Sequence, residues 1–95
     1  MASKEALEKK HEAQIEEMKA EMDRLRAKAK QKEADSEIKY KEKMMELEAL
    51  KDEAESKLND FKKSGKDAWT ELGTGLEAAT QSLSTAIKSA KQKFE

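Results

Sequence analysis

Apolar side chains recur along this chain at helical spacing, and the spacing changes twice. Ile15, Met18, Met22, Leu25 and Ala29 advance in steps of three and four, the seam of a left-handed coiled coil. Between Ala29 and Ile38 the pattern lapses, because Lys30, Gln31, Lys32, Glu33, Asp35, Ser36 and Glu37 leave only Ala34 on the apolar side. It resumes at Tyr40 and continues through Met44, Leu47, Lys51, Ala54, Leu58, Phe61, Gly65, Ala68 and Leu72. Lys51 is the polar intruder in that run, and Leu50 beside it widens the stripe. Beyond Leu72 the apolar positions are Leu76, Ala79, Leu83, Ile87, Ala90 and Phe94, so extra four-residue steps enter. Leu50, Phe61, Leu72, Leu83 and Phe94 stand eleven apart, as do Ala54, Gly65, Leu76 and Ile87. A period of about 3.67 residues per turn describes a straight or slightly right-handed stripe.

The first 63 residues contain no Gly or Pro and are filled by Ala, Glu, Lys, Leu, Met and Gln. This predicts one helix from about Ser3 to Lys63, roughly 90 Å long. A helix of that length needs a partner surface or frays. The expected fold is therefore all-α: a long amphipathic helix with a coiled-coil seam, bent or broken near 64–75, in an elongated oligomer. Two segments follow, a charged coiled-coil helix over 1–63 and a Ser/Thr/Gly-richer amphipathic helical segment over 64–95 with the eleven-residue period. Ser64-Gly65-Lys66-Asp67 matches a capping box, and Gly73 is placed to end one helix while Thr74 and Glu77 cap the next. The eleven-residue register nevertheless runs through both places without a phase jump, so a turn, a kink and a continuous helix all remain open.

Composition sharpens this picture. The chain has 95 residues, with 36% hydrophobic and 43% charged side chains and no Cys or Pro, an inventory from which a compact single-chain core is expected to be thin. Twenty cations against 21 anions give a net charge of −1, which removes any global pull toward nucleic acid or anionic membranes. Charge is unevenly spread: residues 1–60 carry 14 basic and 17 acidic side chains, and residues 61–95 carry 6 and 4. With no signal-type apolar segment and no long apolar run, a cytoplasmic protein is expected.

Candidate chemistry is sparse. His11, the single histidine, shares a helical face with Glu8, Glu12 and Glu16, yet one imidazole among surface carboxylates is not a metal motif. Its plainer reading is a solvated or seam-edge side chain. Glu16, Glu17 and Glu21 read as a solvated face, with no cleft to shift their pKa values for acid–base work. Gly73-Thr74-Gly75 lacks the strand and helix context of a phosphate loop. The expectation is no catalytic residue, no cofactor, no metal and no small-molecule substrate. Arg24, Arg26, Lys28, Lys30 and Lys32 form the one basic cluster, but Glu21, Asp23, Glu33 and Asp35 flank it, which disfavours nucleic acid. Glu5 with Lys9, Asp35 with Lys39, Glu37 with Lys41 and Glu53 with Lys57 are spaced as helix-stabilising pairs.

Lys66-Asp67-Ala68-Trp69-Thr70-Glu71-Leu72, followed by Gly75-Leu76-Glu77-Ala78-Ala79 and the ending Ala90-Lys91-Gln92-Lys93-Phe94, resembles small bacterial coiled-coil proteins of unknown function. The resemblance covers about 64–94 and implies a helical, non-enzymatic protein with no catalytic residues to carry over. The eleven-residue period alone gives a looser likeness to apolipoproteins and late-embryogenesis-abundant proteins. The primary expectation is a structural or scaffolding protein whose partner is itself. Its seam comprises Ile15, Met18, Met22, Leu25, Tyr40, Met44, Leu47, Leu58, Phe61, Leu72, Leu76, Leu83, Ile87 and Phe94. The alternative is reversible binding to lipid or membrane surfaces through Phe61, Trp69, Leu72, Leu76, Leu83 and Phe94 with Lys62, Lys63 and Lys66. A stress or desiccation protectant is the third reading.

Overall fold

The computed structural model describes the backbone of residues 3–31 and 34–94 and the side chains of 3–31 and 38–93. Among the described residues the chain forms three helices, α1 (Lys4–Ala29), α2 (Ala34–Lys63) and α3 (Trp69–Phe94), with no strand. The all-α expectation holds, and the chain is elongated, with extents of 51 × 17 × 16 Å.

The single helix expected over Ser3 to Lys63 is corrected: it is two helices, α1 and α2, with Lys30 and Gln31 in a turn between them. The physical reason lies in the lapse of the seam. Residues 30–37 have almost no apolar surface to bury, so nothing in packing resists a turn there. Folding back lets the seam of α1 meet the seam of α2 on the same chain. A short connection adds only a small loop-closure cost, whereas a separate partner must also give up its translational freedom.

Each end of α1 is marked in sequence. Ser3 Oγ accepts from the Ala6 backbone N–H at 3.1 Å, Glu5 lies in the first turn, and Arg26 and Lys28 lie in the last, signs that suit the helix dipole. Lys4 Nζ donates to the backbone carbonyls of Ser64 at 2.8 Å and Lys62 at 3.2 Å. The start of α1 therefore satisfies carbonyls at the end of α2, and the two helices are antiparallel. α3 turns back on α2 in the same way, since Trp69 at its start meets Phe61 near the end of α2, ring centroids 6.3 Å apart and edge to face. α1 and α3 thus run parallel, an up-down-up bundle.

The break between α2 and α3 falls at residues 64–68 and not at Gly73. The capping box expected at Ser64 is also corrected. Ser64 Oγ donates to the Phe61 carbonyl at 2.6 Å, serving the end of α2 and not the start of α3. Gly65 and Ala68, assigned to the seam by spacing, are exposed in the connection. Gly73 and Gly75 sit inside α3 with ordinary negative φ. An ideal Cβ at Gly73 would lie 3.3 Å from Phe61 Cε2, so this glycine is required by close approach of a ring.

The core is not thin. Ile15, Met22, Leu25, Leu47, Leu58, Phe61, Leu76, Leu83 and Ile87 are buried in it, together with Met18, Tyr40 and Met44. Ala54, Ala79 and Ala90, also buried, let the backbones approach closely. One chain reaches this by giving nearly every large apolar residue to a single axis. Among the described residues, Ile38 and Met45 are the large apolar residues left exposed.

Candidate functional site

Two features stand out: the shared seam, and a groove between α1 and α3. The seam residues Ile15, Met18, Met22, Leu25, Tyr40, Met44, Leu47, Leu58, Phe61, Leu76, Leu83 and Ile87 are buried against one another within the chain, and Leu72 is half-buried at the edge. The Phe94 side chain lies outside those described. Of the residues expected to meet lipid, Phe61, Leu76 and Leu83 have no exposed surface. Trp69 and Leu72 are half-buried, and Lys62, Lys63 and Lys66 are exposed nearby.

Lys51, the polar intruder, is resolved by pairing. Its ammonium, on a side chain only 17% exposed, bonds the Glu48 carboxylate and lies 3.3 Å from Asp52. The hydrogen bond to Lys51 is the main cause that holds Glu48 below the usual carboxylate range, with Arg26 adding to it. The bond from Glu48 likewise raises Lys51 above its ordinary value. Arg26 reaches Glu48 across the α1–α2 seam at 3.1 Å and Asp23 on its own helix at 3.1 Å. Arg24 pairs with Glu21 at 3.2 Å. Two guanidiniums of the basic cluster are thereby committed to carboxylates, while Lys32 lies outside the described residues.

Further pairs fix the register of α1. Glu12 meets Lys62 at 3.3 Å, Lys19 meets Glu55 at 3.2 Å, and Glu21 meets Lys91 of α3 at 2.9 Å. Exposed pairs of this kind set alignment more than they add stability. Among the described residues, several pairs within helices are spaced at three and not at the expected four, as in Glu16 with Lys19 and Lys43 with Glu46. Glu5 with Lys9 and Glu53 with Lys57 are not among the pairs formed, and the Asp35 and Glu37 side chains lie outside those described.

The groove between α1 and α3 encloses about 400 Å³ and is lined by His11, Gln14, Met18, Glu77, Thr80, Ser84 and Ile87, with Lys10, Glu17, Glu21, Lys88 and Lys91 at its rim. Of the two plain readings of His11, solvated or seam-edge, the structure excludes the first, since the residue is only 4% exposed. Its Nδ1 has no hydrogen-bond partner. Burial, then the neighbouring Lys10 charge, lowers its pKa from the ordinary histidine value, against the opposing pull of Glu77 and Gln14. The signal for its burial was present in the spacing, since His11, Ile15 and Met18 continue the four-and-three steps of the seam. Thr80, also buried, satisfies its hydroxyl by donating to the Leu76 carbonyl at 2.8 Å. Among the described residues no cluster of three or more His, Cys, Asp or Glu is placed to hold a metal ion. No described helix is long and apolar enough to cross a membrane.

No family model, curated protein or solved structure matches the chain.

Proposed function

We propose that the chain is a non-catalytic helical scaffold that self-associates through its apolar seam by exchanging α1 between copies. The observation that carries this reading is the connection between α1 and α2. It runs from Lys30 to Glu33 without Gly or Pro, and Lys30 keeps right-handed helical dihedrals, φ −67° and ψ −18°. Helix formers occupy the connection, so straightening it yields the continuous helix that the composition of residues 3–63 favours. In two such opened chains, α1 of each copy packs on α2 and α3 of the other and repeats every seam contact of the closed form. Exchange of an identical element is a low-cost route to a dimer.

The test is sedimentation equilibrium over a broad concentration range on the natural chain and on Gln31→Gly. Two helical connections exist per exchanged dimer, and each glycine in a helix interior costs about 0.8–1 kcal/mol. The variant is expected to raise the dimer dissociation constant by roughly ten- to twenty-five-fold, at about 1.4 kcal/mol per factor of ten. A natural chain of constant 10.8 kDa mass at every concentration sinks the proposal.

Lipid binding by residues 61–94 is the second reading, supported by the half-buried Trp69 and Leu72 beside exposed Lys63 and Lys66. It requires a blue shift of Trp69 fluorescence on anionic vesicles, and no shift at saturating lipid removes it.

A further inference from the structure

His11 is the one histidine of the chain, and it lies 4% exposed where α1 faces α3, with Nδ1 unpartnered beside a groove of about 400 Å³. A neutral imidazole tolerates this position, because it carries one N–H and no charge. An imidazolium carries two N–H donors and a charge; burial strips solvation from the charge, and Nδ1 has no acceptor within reach. The charged groups that act on the ring are Lys10 from α1, which repels a second cation, and Glu77 from α3, which attracts it, and Gln14 of α1 hydrogen-bonds to it. No α2 charge is among them. Glu17, Glu21, Lys88 and Lys91 line the same groove.

We propose that His11 is a proton-operated latch on the α1–α3 seam, so that mild acid opens this seam while α1 stays tethered to α2. α1 also packs on α2 in the shared apolar core and is joined to it by Glu12 with Lys62, Lys19 with Glu55 and Arg26 with Glu48, contacts in which His11 takes no part. The sign follows from proton linkage. The folded imidazole has its pKa below the unfolded one, so the closed seam keeps its full stability above about pH 6.5 and loses it as pH falls toward the lowered value. Each unit of depression shifts the open-to-closed ratio about tenfold. The latch concerns the closed chain and holds whether or not the opened helix finds a second copy.

The test uses the full chain, which has no native Cys, carrying spin labels at the exposed pair Ala13→Cys and Ala78→Cys across α1–α3. A second pair, Ala20→Cys and Ser56→Cys, reports on α1–α2. The expected result is a longer α1–α3 distance at pH 5.5 than at pH 7.5, an unchanged α1–α2 distance, and an imidazole midpoint by NMR below the ordinary value. His11→Phe is expected to abolish the pH response. Glu77→Gln, which removes the attracting charge and leaves the ring, is expected to move the midpoint lower. An imidazole that titrates at about 6.5, or an α1–α3 distance unchanged at pH 5.5, overturns the proposal. So does a seam that tightens in acid, which would mean that Glu77 captures the imidazolium.

Discussion

Gly73 and Gly75 stand two residues apart in α3, and replacing each with Ala separates helix propensity from packing. An ideal Cβ at Gly75 meets no atom within 4 Å. Gly75→Ala therefore gains the full propensity difference, about 0.8–1 kcal/mol. For a domain of this size that is a rise in Tm of roughly 4–8 °C. At Gly73 the same gain is opposed by the Phe61 ring, whose Cε2 lies 3.3 Å from the added carbon. The ring has no exposed surface and Trp69 abuts it at 6.3 Å between centroids, so it has little room to yield. Overpacking of this kind costs about 1–3 kcal/mol. Gly73→Ala is expected to be neutral to destabilising, and at least about 1 kcal/mol less stable than Gly75→Ala, the smaller of those overpacking costs. Urea unfolding followed by circular dichroism reads both variants. Equal stabilisation of the two would refute the seating of Phe61 on α3. Loss of stability in Gly75→Ala would refute a continuous α3 and restore a turn at 73–75.

Leu83 is fully buried, and Leu83→Ala is expected to destabilise the isolated chain by about 2–5 kcal/mol, read by the same unfolding assay at a concentration where the chain is monomeric. Stability unchanged at that concentration would place Leu83 in an interchain contact only. Glu48 is held below its ordinary pKa chiefly by Lys51, so its contribution is full above about pH 4.3–4.5 and falls away as pH drops through the lowered value. Glu48→Gln is expected to flatten that part of the acid-unfolding curve, and a curve of unchanged slope would show that the Arg26–Glu48–Lys51 cluster adds nothing.

Much of the core was legible from spacing. Nearly every residue placed on the seam is buried, because a three-and-four repeat marks one face of a helix whatever covers that face. What the repeat leaves open is whose helix does the covering. The lapse over residues 30–37 was visible, but its residues are all fair helix formers, so local propensity favoured continuity while the tertiary packing of Ile15 to Leu25 against α2 favoured a turn. Gly73 left the choice between turn and helix open for the reverse reason. A glycine at a helix interior reads as a break, and only the approach of Phe61 explains it inside α3. Arg24 and Arg26 of the basic cluster pair with Glu21, Asp23 and Glu48, the last from a helix whose antiparallel placement local spacing does not reveal. His11 was readable as a seam-edge position four residues before Ile15, though its polarity left a solvated placement equally open.

α1 folds back along α2 in one chain, and in the proposed dimer it exchanges between copies. Spin labels at the exposed positions Glu5→Cys and Lys63→Cys test both directly, because the two lie at the same end of the closed bundle, where Lys4 Nζ is 2.8 Å from the Ser64 carbonyl. On an unbroken helix they would stand roughly 90 Å apart at about 1.5 Å per residue. In dilute solution the account predicts a short distance that persists when labelled chain is mixed with unlabelled chain. At high concentration it predicts that part of the short distance becomes interchain, lost on such mixing, with the long intrachain distance appearing beside it. A long distance in dilute, monomeric chain would contradict the fold, and a short intrachain distance unchanged at every concentration would contradict the exchange.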